Sequence, residues 1–444
     1  MDATRLLTCT ICGLLTLVVS ATALPRAQAA LAAGEAKVDI TPPLKEFPTV
    51  SLGGFGDRQG KPAQSVHDPI YARALVLAQG RSKITLVSLD LLEVTPGMKA
   101  AVVKQVAHLG FSDATVLLAA THDHSAPECL HPAGDVWPLA FGKFLPEYYA
   151  WTNKRIADAI RTANMRLQAA QVGFASAPIP GMNRNRRETG GGLVDPVMTV
   201  MKVANMGIGS AARTIALVVN FTAHPTIMGA DSFAISGEWP GAMSRALQNR
   251  IGGDGVALFY NGTQGDQSVA GEFGSGWKRV DGYGKALADK AWELARSVKL
   301  AHDVKLGASE ITWKLPPYQV SPAFIESTGQ EYKMTPKAAA GIAAKLFPSA
   351  VELQAVRVGD GLLMAVPGEA IVELGLEMKK NASDLGAKYP ICVGVANNYV
   401  GYILSPKQYE LGGYESGTSF YGPQLGELLV ERMKQAVAPL FKTD

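Results

Sequence analysis

Three runs in this chain are apolar almost from end to end at strand length: "VLLAAT" within "DATVLLAATH", "TIALVVNFTAH" (Thr214–His224) and "GVALFYNG" (Gly255–Gly262). Successive residues of a strand point to opposite faces. A strand that is apolar on both faces must be covered on both faces, usually by helices. The sequence supplies those helices. "GMKAAVVKQVAHLG" predicts one that ends at Gly110, and "PEYYAWTNKRIADAIRTANMRLQ" a long one with Pro146 in its first turn. "GAMSRALQNRI", "DGYGKALADKAWELARSV" and "LGELLVERMKQAVAPLF" carry the same periodicity. Further strands are expected at Tyr71–Gly80 and Lys83–Val94. A strand pair is expected in "VKLGASEITWKLP", a small helix in "TPKAAAGIAAKLF", and a hairpin over Val351–Glu369 turning at Gly359-Asp360-Gly361. There is no repeat and no clear linker. The fold expected is a single large α/β domain over residues 30–444, with a buried, mostly parallel or mixed sheet flanked by helices.

Composition narrows the function. The 444 residues are 47% hydrophobic and 18% charged, with net charge +3 and interspersed signs. Without a Lys/Arg block or basic–aromatic interleaving, nucleic acid is not an expected partner. Residues 1–29 differ from the rest: a basic start, an apolar run and an A-x-A site read as a signal peptide cleaved after Ala29. The protein is therefore expected to be exported, to the periplasm or beyond. Cys9 and Cys12 leave with that segment. Cys129 and Cys392 remain and could form one disulfide, which spacing cannot decide.

The apolar runs end in residues of a catalytic type. "VLLAAT" ends in His122-Asp123-His124, "ALVVNFTA" in His224, "VALFY" in "NGTQGDQS" with Ser268, and "LLMAVPG" in Glu369. Ligands of open α/β sheets sit outside the carboxyl ends of strands. Parallel strands would bring these four ends together, and opposed strands would scatter them. Residues i and i+2 of a strand face one side, so His122 and His124 can face one point. Imidazoles and a carboxylate are the ligand set of catalytic zinc, which lowers the pKa of a coordinated water to about 7. H-x-H also fits two satisfied polar residues at a strand end. His108 and His302 read as surface residues and His131 as a loop residue; His67 precedes a strand. "SLGGFGDRQG" opens no helix and lacks the dinucleotide context. "NGTQGDQS" is no P-loop. Its turn could present Ser268 or backbone N–H groups to an oxyanion, or could be a simple tight turn. No G-x-S-x-G follows a strand.

Taken in order, these motifs resemble the neutral (non-lysosomal) ceramidase family. "AGEAKVDITPP", "HDPIYARALVL", "ATHDHSAPE", "MNRNRR", "NFTAHPTIMG", "GTQGDQS", "VPGE" and "NNYVGYILSPKQYELGGYESGTSFYG" follow the family's succession along nearly the whole mature chain. The resemblance implies one zinc ion per chain, held by His122, His224, Glu369 and Tyr402. His124 would then orient the site or shuttle a proton, Ser268 matches the family's active-site serine, and Arg184 and Tyr414 would hold the scissile amide. The chain departs from the family at Asp123, Ala126 and Glu128, where "T-H-T-H-S-G-P-G" is usual, and at Val269, which replaces a proline. The added carboxylates are expected to make the site mouth more polar. With the sequence ending at Asp444, just after the helix that closes the catalytic domain, the family's C-terminal immunoglobulin-like domain is not expected.

The function expected is an exported zinc amidohydrolase. Ceramide or a related N-acyl lipid, reached by peripheral membrane contact, is the leading substrate class. The nearest rival is the same chemistry on a more soluble amide or ester. A metal-independent serine hydrolase using Ser268 with His124, and a binding protein without turnover, are further alternatives.

Overall fold

The computed structural model describes residues 30–442, apart from 129, 136, 139–141, 189–190 and 208–211. The signal segment and Cys129 lie outside the described residues. Cys392 is a buried thiol facing the Gly375 carbonyl oxygen, and burial pushes its pKa up to about 12.

Two sheets stack face to face. The larger has eight strands in the order Val256–Asn261, Thr214–Phe221, Val197–Asn205, Gln168–Pro178, Ala32–Asp39, Tyr71–Gln79, Ser82–Leu89, Val116–Ala120. The smaller runs Leu306–Lys314, Ala350–Val358, Gly361–Ala365, Tyr389–Val393. The pleat explains why both need two covers. Leu117 and Ala119 join a core between the sheets that also holds Leu75, Val218, Leu258, Val356, Leu363 and Val393. Val116, Leu118 and Ala120 face outward onto the helices Met98–Val106 and Pro146–Met165. At the other end of the large sheet, Leu217, Val219 and Phe259 pack against Glu238–Ile251 and Gly276–Ser297. Leu353, Leu362 and Met364 pack against Val372–Asp384 and Leu425–Val437. The result is four layers: helices, sheet, sheet, helices.

The α/β class and the mixed sheet are as expected from the sequence. The way the strand ends meet is different. Each edge pair of the large sheet is parallel, but every pairing between those edge pairs is antiparallel, so the two edges run in formally opposite directions. They meet because the sheet coils. Accumulated strand twist rotates one edge against the other by roughly 150° over the sheet, and curling brings the edges face to face. The Ser88 hydroxyl donates to the Phe259 carbonyl oxygen at 2.7 Å, and Asn261 Nδ2 to that of Thr121 at 3.3 Å. The segment after Tyr389–Val393 then ties the edges together, through Gly394 N to Asn261 O and Ala120 N to Val395 O.

Local differences are small. The strand from Ser82 ends at Leu89, before Glu93, because Asp90 turns to accept from Tyr71 N and Arg73. "VKLGASEITWKLP" is one strand, Leu306–Lys314, paired along its whole length with Ala350–Val358 rather than with itself. Among the described residues no helix is long and apolar enough to cross a membrane.

Candidate functional site

His122 follows its strand in a left-handed conformation, φ +67°. That conformation is uncommon for a residue with a Cβ and is often found at functional sites. The chain on either side keeps pairing with the neighbouring strand's extension, through Thr121 N to Leu89 O and Asp123 N to Leu91 O. His122 Nδ1 lies 2.9 Å from the Leu92 carbonyl oxygen. His224 follows the strand Thr214–Phe221, and its Nδ1 lies 2.9 Å from the Gln264 carbonyl oxygen. A carbonyl only accepts, so each Nδ1 carries a proton, and in the neutral ring each Nε2 then presents a lone pair. Those two Nε2 atoms stand 3.1 Å apart.

Glu369 and Tyr402 arrive together. The strands Glu369–Ala370 and Tyr402–Ile403 pair in parallel, with Glu369 opposite Tyr402. Glu369 Oε2 is 3.0 Å from His122 Nε2 and 3.1 Å from His224 Nε2. Its other oxygen accepts from the Tyr399 hydroxyl at 2.6 Å. The Tyr402 hydroxyl is 3.5 Å from His224 Nε2. The third imidazole also points inward, with His124 Nε2 3.3 Å from His122 Nε2. His122, His124 and His224 form a buried group that could hold a metal ion.

The electrostatics agree with that. Burial pushes the Glu369 carboxyl up, but His122 and His224 hold it well below the usual carboxylate range. Burial, then Arg186, lowers His224 to about 4. Burial and the other two imidazoles hold His124 well below the usual histidine range. Neutral imidazoles and an ionised carboxylate are the ligand forms of these groups. Two converging lone pairs repel unless a cation lies between them, so the donor set fits a bound metal.

The sequence-derived residues divide. His122, His124, Glu369, Tyr402 and Tyr414 line one cavity of about 90 Å³, and His224 closes its floor through the contacts above. Tyr414 stacks edge-on to Tyr402 with ring centroids 5.9 Å apart. Arg184 and Ser268 do not line that cavity. They pair with one another across a two-stranded ribbon, Arg184 is exposed, and Ser268 meets His224 through a backbone bridge. Arg186 reaches the centre instead. It donates from Nη2 to the Tyr402 hydroxyl at 2.8 Å and pairs with Glu415. Asn-Arg occurs twice in "MNRNRR", so the motif alone cannot say which arginine turns inward. The Gly-rich turn before Ser268 orients His224, through Gln264, rather than opening onto the cavity.

Other expectations also resolve. Asp123 caps Ser125 N at 2.7 Å and does not line the cavity, whereas Glu128 does; both are buried rather than at a mouth. His131 lies in a loop, as expected from the sequence, and is buried there with Nε2 3.8 Å from Glu93 Oε1. His67 stacks on Trp277 and bonds Asp68, away from the centre. Sequence reasoning missed Glu93, Tyr399 and Arg186. The apolar pattern over Lys83–Val94 places Glu93 inside a strand, but that strand ends at Leu89.

Fold and donor set together define a two-sheet α/β protein with a buried, metal-type centre at its strand ends. The family model for neutral/alkaline non-lysosomal ceramidase, N-terminal, matches residues 31–273 and 329–430, and the chain belongs to that family. It is 22% identical to the neutral ceramidase of Mycobacterium tuberculosis, over 88% of this chain and 74% of that protein. Against the neutral ceramidase of Pseudomonas aeruginosa it is 23% identical, over 88% and 69%. The crystal structure of neutral ceramidase from Pseudomonas aeruginosa superposes with TM-score 0.79 at 20% identity, covering 93% of this chain and 75% of that one. A structure of ceramidase complexed with C2 gives TM-score 0.81 at 19% identity.

Proposed function

We propose that the chain is a zinc-dependent hydrolase of N-acyl amides, with ceramide or a related N-acyl lipid as the first substrate class to test. The observation that carries this is the convergence of His122 Nε2, His224 Nε2, Glu369 Oε2 and the Tyr402 hydroxyl, with spacings of 3.0–3.5 Å. Donors around a four-coordinate zinc with bonds near 2.0–2.1 Å stand about 3.3 Å apart. A zinc ion bound there supplies Lewis acidity and activates water at neutral pH.

The remaining roles fall to side chains of this protein. Tyr399 occupies one oxygen of Glu369, so the other is left for the ion. Arg186 holds the Tyr402 hydroxyl and stays charged, because Tyr402 and Glu415 beside it outweigh its burial. His124, kept neutral, can accept a proton at Nε2 and return it to the leaving amine. The Tyr414 phenol, held protonated by burial, can donate to the substrate carbonyl oxygen as charge develops there. Arg184 and Ser268, which resemblance links to amide holding and to the active site, are not among the residues lining the cavity. Export is read from residues 1–29, and N-terminal sequencing of the mature protein should find a start near Ala30.

One observation favours a second reading, a smaller and more polar amide. The cavity is small, and Glu93 and Glu128 line it. Assay of the purified chain on a long-chain ceramide and on a short soluble N-acyl amide separates the readings. Turnover of the soluble amide alone removes the lipid substrate, and turnover of neither removes the amidase.

A further inference from the structure

One wall of the cavity carries two carboxyl groups that the mechanism above does not use. Glu93 and Glu128 are buried, and none of their four oxygens has a hydrogen-bond partner among the described residues. His131 Nε2 stands 3.8 Å from Glu93 Oε1, and burial keeps that imidazole neutral, with its pKa lowered to about 4. An unmatched buried carboxyl is costly and calls for a donor from outside the chain. The glycines of "SLGGFG" make the wall possible. A Cβ at Gly53 would overlap the Glu128 carboxyl, and one at Gly54 would overlap the His124 ring. Arg58 locks that loop by donating to the Gly53 and His124 carbonyl oxygens. The same cavity is lined by the aromatic rings of Trp137, Tyr332, Phe347 and Phe420.

Carboxyl oxygens and aromatic rings lining one small cavity form a receptor for a compact cation. We propose that the substrate is an amide carrying a primary ammonium group, and that Glu93 and Glu128 are its specificity-determining residues. An ammonium offers three donors and a positive charge to this wall, whereas a hydroxyl offers one donor and a methyl none. Burial raises both carboxyls, Glu93 to about 8 with Glu369 nearby and Glu128 well above its usual range with Glu93 nearby, so an entering ammonium favours their ionised form and displaces a proton from the wall. The proposal rests on the amide-hydrolase reading of the adjacent centre.

The test uses three matched substrates: N-hexanoyl ethylenediamine, N-hexanoyl ethanolamine and N-hexanoyl propylamine. The full chain should prefer the first over the third by at least about tenfold in kcat/KM, with the second between them. Glu93→Gln and Glu128→Gln should each reduce that ratio about tenfold. A merely structural role would lower all three rates together and leave the ratio in place, which would overturn the proposal, as would an equal or better rate on the propyl analogue. If no amide is cleaved, calorimetry with hexylamine and hexanol still decides. Hexylamine binding that is lost in both variants upholds the receptor while the amidase reading fails, and no preference for hexylamine overturns it.

Discussion

At the scale of single residues, it is the second arginine of "MNRNRR" that turns inward, and it holds the Tyr402 hydroxyl instead of lining the cavity. Arg186 touches Tyr402, and Arg184 faces outward. Arg186→Ala should lower kcat/KM for amide hydrolysis by roughly 10–100-fold, the usual cost of losing a partner that orients a metal ligand. Arg184→Ala should cost far less, and steady-state kinetics of the two variants checks the order. Glu93 gives a second residue-scale prediction, one of stability. Its carboxyl titrates at about 8 in the fold, against an ordinary 4.5. The folded state thus holds a proton there that the unfolded chain has already lost, and stability from this group falls as pH rises from 4.5 through 8. His131, lowered to about 4, acts in the opposite direction and costs stability as pH falls below 6.5. In the metal-free protein, Glu93→Gln should gain thermal stability relative to wild type as pH is raised across 4.5–8, by a few kcal/mol at most. Equal pH slopes for the two proteins would contradict the assignment.

At the scale of elements, the site depends on how closely two short strands approach a turn. Gly265 N donates to the Ala370 carbonyl oxygen, and a Cβ at Gly265 would come within 2.6 Å of the Glu369 carbonyl oxygen. Gly265→Ala should push the Glu369 strand away from His224. It should cost about 1–3 kcal/mol of stability and lower metal content, both measurable on the purified variant. The elements themselves were largely legible in the sequence. Continuous apolar runs marked the buried strands, and Gly359-Asp360-Gly361 marked the hairpin. The ends were less legible, since "KITLVSLDLLEV" stays apolar past Leu89 and nothing in its pattern shows Asp90 turning to Tyr71. The Tyr402–Glu369 pairing was also invisible, because a two-residue ladder has no periodicity to detect.

At the scale of the whole molecule, the centre exists because a strongly twisted sheet brings its two edges together, and the segment after Val393 ties them. Strand direction alone would have scattered the residues that the sequence placed at strand ends, and sequence shows neither twist nor curl. Ligands from both edges of the large sheet, and from the chain that follows the hairpin, must all be in place before a metal can bind. Metal binding should therefore be coupled to folding of the whole domain. Chelation should lower the thermal midpoint by several degrees in one cooperative transition, and zinc should restore it, as read by calorimetry. The most direct test of the account is the metal content of the purified chain, measured beside its amide hydrolysis before and after chelation and in His224→Ala. The account predicts about one zinc per chain, with metal and activity lost together on chelation, recovered together on zinc addition, and absent together in the variant. Full activity in protein stripped of metal would contradict it.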